Sequence, residues 1–181
     1  MIWGNYQAKD WEGLFDKPKQ YSRRVPASFA HFLESRGERC ASARALLADN
    51  GVEMVSGYPD WKIVGDWFVE EVLREGRNTS NINSSEFSEA RWRSLCIDLA
   101  TLLGEQIIDR TSSAEWAYYI GEKNLWGSND VVLRSMKDSA FVGMHVVSAI
   151  LSSRVRTTRL VDPTGPLGVL RTVTEVEFEV A

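Results

Sequence analysis

Apolar residues recur at steps of three and four over Trp92, Leu95, Cys96, Leu99, Leu102, Leu103 and Ile107, which puts them on one face of a helix. Arg93, Ser94, Asp98, Thr101 and Glu105 fall on the other face. Asn83-Ser84-Ser85-Glu86 precedes the stripe with capping-box spacing. After Ser113 the period changes to two: Trp116, Tyr118 and Ile120 alternate with Ala117, Tyr119 and Gly121, the pattern of a half-buried strand. This helix–strand unit is expected to form the centre of the core.

The same pattern reading orders the rest of the chain. Residues 1–24 are irregular but carry Trp3, Tyr6, Trp11, Leu14 and Phe15, enough aromatic mass to pin them to a body. Pro26 opens a helix through Phe29, Phe32 and Leu33 that is expected to end near Arg36-Gly37, with a second short helix from Cys40 to Ala48. Asp49-Asn50-Gly51 is a helix stop, and Val52–Val55 is a short extended piece before a turn at Ser56-Gly57-Tyr58-Pro59. Asp60–Arg74 reads as a helix with Trp61, Val64, Phe68 and Val72 on one side. Residues 77–83 are polar and read as an exposed loop. Asp130–Met136 is a second strand, forming an antiparallel hairpin with the first. A further helix is expected from Asp138 or Ser139 to about Ser153, and a terminal strand over residues 168–180. Strands late and helices early predict an α+β fold, one domain over residues 1–181, with several helices packed on a small, mostly antiparallel sheet.

Composition narrows the function classes. The net charge is −4, spread evenly over both halves, so no basic half exists to hold a phosphate backbone and nucleic acid is an unexpected partner. No apolar run approaches the ~20 residues of a membrane span. The first residues lack a signal-peptide pattern, and Cys40 and Cys96, far apart, read as buried thiols; together these point to the cytoplasm.

Candidate chemistry is sparse. His31 and His145 stand alone, and no Cys or His spacing suits a metal, so neither a metal site nor a cofactor is expected. Phosphate-loop, dinucleotide and nucleophile-elbow motifs are missing. Asp98 and Glu105 lie two turns apart, roughly 10.5 Å along a helix, too far to share a proton. No catalytic residue is assigned. An enzyme using Asp98, Glu105 or Glu122 is kept as an alternative.

Rows of carboxylates are the more suggestive feature. Asp66, Glu70 and Glu71 fall together on one helix, and Glu175, Glu177 and Glu179 share one strand face, about 7 Å apart. With Trp67 and Trp126 as candidate anchors, these residues outline a surface for a basic protein partner. In size, acidity and want of catalytic motifs the chain is similar to some bacterial immunity proteins, a likeness of class that rests on no motif. It implies a non-enzymatic protein that neutralises a toxin by protein–protein contact. The other alternative is a structural or assembly subunit that forms homo-oligomers through its broad apolar helices.

Overall fold

The computed structural model describes residues 1–9, 25–78, 85–111, 113–120, 130–135 and 141–143. The described elements are α1 (Ala27–Asp49), β1 (Met54–Val55), β2 (Tyr58–Pro59), α2 (Trp61–Asn78), α3 (Ser85–Thr111), β3 (Ala114–Tyr119), β4 (Asp130–Ser135) and β5 (Phe141–Gly143). The strands make two antiparallel sheets, β1-β2 and β3-β4-β5, so the α+β class holds. None of the described helices is long and apolar enough to cross a membrane.

Helix α1 is one continuous element, not the two expected helices. A mid-helix glycine costs only about 1 kcal/mol, and Gly37 is outweighed by the face on which Phe32, Ser35, Arg39, Cys40, Ala43, Leu46 and Leu47 are buried across it. The predicted stop is where it was expected. Gly51, at φ +80°, takes the left-handed position. Its N–H donates to Ala48 O at 3.0 Å, and the Val52 N–H to Leu47 O at 3.0 Å.

Ser56 and Gly57 both have positive φ. That is the turn geometry that matches strand twist, so β1 and β2 close as a two-residue hairpin pairing Met54 with Pro59 and Val55 with Tyr58. Asp60 then caps α2, its Oδ1 accepting from the Lys62 N–H at 2.8 Å.

Helix α3 carries the core. Its stripe from Trp92 to Ile107 is buried, with the ring of Phe68 from α2 edge-on to Trp92 at 5.2 Å. On the face opposite the stripe Ser94, Asp98 and Thr101 are also buried, Glu105 is half-buried and Arg93 is exposed. Arg39 of α1 and Tyr6 and Lys9 of the N-terminal segment reach Ser94 and Asp98 on that side.

Strands β3 and β4 form the predicted hairpin, with Trp116 opposite Leu133 and Tyr118 opposite Val131. Phe29 and Phe32 of α1 pack on β3, Phe32 edge-on to Trp116 at 5.1 Å and Phe29 at 5.8 Å from Tyr118. The segment expected to begin a helix near Ser139 instead supplies β5, in which Leu133 of β4 pairs with Val142. Its residues are apolar in an unbroken run, a pattern that suits a buried strand as well as a helix, and an open edge of β4 decides between them. Arg77 and Asn78 of the expected loop instead extend α2; loop residues 79–83, the remainder of the helix expected to about Ser153 and the terminal strand over 168–180 lie outside the described residues.

Candidate functional site

The first nine residues meet α1 and α3 at a buried polar node. Tyr6 comes from the N-terminal segment, Arg39 from the buried face of α1, and Ser94 and Asp98 from one face of α3, four residues apart. All four side chains are buried, Asp98 completely. Arg39 spans the carboxylate two-pronged: Nε donates to Asp98 Oδ1 at 3.1 Å and Nη2 to Asp98 Oδ2. The Tyr6 hydroxyl donates to Asp98 Oδ2 and lies 3.1 Å from Ser94 Oγ. Arg39 Nη2 is also 3.1 Å from the Tyr6 hydroxyl and 3.0 Å from Ser94 Oγ. Two backbone groups complete the set: Arg39 Nη1 donates to Gln7 O at 3.0 Å, and the Lys9 N–H to Ser94 Oγ at 3.0 Å.

The electrostatics follow from burial. Burial works against the Arg39 charge, but the hydrogen bond and attraction of Asp98, joined by Tyr6, outweigh it and raise its pKa. Burial raises the Asp98 carboxyl, and Arg39 and Tyr6 oppose that rise. The Tyr6 phenol is raised far above its ordinary range, first by burial and then by the Asp98 charge. An ionised Arg39–Asp98 pair with a neutral Tyr6 suits these contacts, because a carboxylate has lone pairs for all three donors. Both carboxylate oxygens are engaged, so the node ties residues 1–9, α1 and α3 together.

A second, half-buried set lies nearer the C-terminal end of α3. Glu105 Oε1 accepts from Arg36 Nε at 3.0 Å and from Trp116 Nε1 at 2.5 Å. Tyr58 donates to Asp109, and the Arg44 guanidinium sits 5.0 Å from the Tyr58 ring centre. Burial, then Asp109, raises the Tyr58 phenol. Asp98 and Glu105, considered together as enzyme carboxylates, thus belong to separate ion pairs with different arginines.

The anticipated partner surface is divided. Asp66 and Glu70 are exposed on α2, at a spacing of four. Trp67 and Glu71 are corrected: both are buried. The Glu71 carboxylate pairs with the Met1 α-amino group and with Arg74, the latter at 2.7 Å. Trp67 lies on the same side of α2 as Val64 and Phe68, so its indole joins the core and is no exposed anchor. Trp126, Glu175, Glu177, Glu179 and the enzyme candidate Glu122 lie outside the described residues.

Among the described residues no three His, Cys, Asp or Glu side chains are grouped to hold a metal. Tyr6 and Arg39 are the residues that pattern reading missed. Arg39 lies in an Ala-rich helix, and only its place on the Phe32–Ser35–Ala43–Leu46 face hinted that it points inward. Comparison with known protein families, with characterised proteins and with solved structures returns no match.

Proposed function

We propose that the protein is a non-enzymatic binding protein, and most concretely an immunity-type protein that neutralises a basic toxin by contact. The observation that supports this reading is the outer face of α2. Ile63, about half exposed, stands there with Asp66 and Glu70 at steps of three and four. The opposite side of the same helix is anchored by Trp61, Val64, Trp67 and Phe68. An apolar residue next to carboxylates on a helix held rigidly from behind is a suitable surface for a cationic partner, and the negative net charge would speed the encounter. Lys62 and Arg74 bound this face, Arg74 lying 3.6 Å from Glu70, so the acidic area is compact.

The test is purification of the full chain from its native cells, identification of any bound protein, and comparison with an Asp66→Asn/Glu70→Gln variant. The expected result is a basic partner whose binding weakens at high salt and in the variant. A clean monomer without a partner, or a partner indifferent to both changes, would overturn the reading. An oligomer whose size does not change with concentration would move it to the assembly subunit.

A further inference from the structure

Residues 1–9 and the surface beneath them are each held in shape by their own bonds. On one side, Trp3-Gly4-Asn5-Tyr6 forms a turn closed by the Tyr6 N–H donating to Trp3 O at 2.9 Å. Gly4 takes φ +48°, a conformation natural to glycine. The turn sets the Trp3 and Tyr6 rings side by side, 5.7 Å apart. On the other side, the two-pronged Arg39–Asp98 pair joins α1 to α3, and Tyr6 and Gln7 of the segment bond to it. Trp92 is likewise braced from behind by Phe68.

The two sides then meet through side chains. Trp3 packs edge-on against Trp92 at 5.5 Å, with the Arg91 guanidinium 5.7 Å from its ring centre. Tyr6 enters the Arg39–Ser94–Asp98 socket. Asn50, beyond the end of α1, grips the backbone of Ile2 as a neighbouring strand would, accepting from its N–H at 2.9 Å and donating to its carbonyl at 2.8 Å. A turn with two aromatic rings on one face and a groove with an indole wall and a charged socket on the other stand as ligand and receptor within one chain.

We infer that the groove under residues 1–9 is a sequence-specific peptide site, filled by the chain's own segment and able to take the same segment from a second copy. Its ligand is a short turn carrying an indole and, three residues later, a phenol hydroxyl. This surface is distinct from the outer face of α2, so the inference is independent of the proposed function. In one chain the tethered segment competes at an effective concentration of order millimolar, so exchange between copies requires protein at comparable concentration. Exchange of an identical element adds no new kind of contact and is a low-cost route to a dimer.

The experiment uses the full chain with its own ligand disabled, Trp3→Ala/Tyr6→Ala, and a fluorescent nonapeptide of residues 1–9 with a free α-amino group, followed by anisotropy. Saturable binding is expected, about ten-fold or more weaker for a Tyr6→Phe peptide, which lacks the donor to a charged acceptor. Binding to the wild-type chain should be weaker still, because the groove is already filled. If circular dichroism shows the variant to be unfolded, addition of the nonapeptide should restore its helical signal. No binding to the folded variant, no recovery of the unfolded one, or equal binding of a Tyr6→Ala peptide would overturn the inference.

Discussion

The indole of Trp116 rests so closely on Gly104 that a β-carbon at residue 104 would overlap the far edge of its six-membered ring. Strand β3 can therefore approach α3 only where α3 has no side chain, and the indole N–H reaches Glu105 on the next residue. Alanine is the better helix former by about 1 kcal/mol, but overlap with a packed ring costs about 1–3 kcal/mol, and a displaced indole also forfeits a hydrogen bond worth about 1 kcal/mol. Gly104→Ala should lower the urea midpoint for a net loss of about 1–3 kcal/mol. Trp116→Leu in the same chain should recover part of that loss, since the ring that obstructs the methyl is gone.

The Tyr6–Asp98–Arg39 node predicts an order of sensitivities. Tyr6→Phe removes one donor from a buried carboxylate and should cost about 1.5–3 kcal/mol by chemical denaturation. Asp98→Ala leaves the Arg39 charge buried without its counter-ion and should cost more, about 3–5 kcal/mol. A double-mutant cycle on Arg39 and Asp98 should show strong coupling, and additive effects would contradict the described pairing.

Burial separates the α2 residues into two groups. Asp66→Asn and Glu70→Gln, both at exposed sites, should each change stability by no more than about 0.5 kcal/mol. Trp67→Ala opens a cavity in the core and should cost about 3–5 kcal/mol. Thermal melts of the three variants separate these outcomes. They also show that a loss of binding on changing Trp67 would report on the fold and not on a contact.

Alkaline pH should destabilise the protein. Burial, with a smaller contribution from Glu105, pushes the Cys40 thiol up to about 12, and the phenols of Tyr6 and Tyr58 are also raised. In the unfolded chain these acids ionise at about 8.5 for cysteine and about 10 for tyrosine. The unfolded state therefore loses its protons first. Stability is full below about pH 8.5 and falls as the pH rises toward 12. Urea unfolding at about pH 7.5, 9 and 10.5 should show a declining midpoint, with a shallower decline in Cys40→Ala. A midpoint that rises with pH would contradict these directions.

The sequence by itself determined what repeats locally. The Trp92–Ile107 stripe, the Asn50-Gly51 stop and the alternation at Trp116–Tyr118 identify α3, the end of α1 and β3, because helix and strand periods and left-handed caps act over a few residues. Only the tertiary structure decided which polar residues face inward. Ser94 and Asp98 lie off the apolar stripe yet are buried where Tyr6 and Arg39 reach them, and Arg39 finds its carboxylate 59 positions away. It also decided that Gly37 sits within one helix, that residues 141–143 complete a sheet, and that Trp67 and Glu71 leave the surface. Each of these depends on a partner distant in sequence, and local spacing carries no record of what will later lie against it.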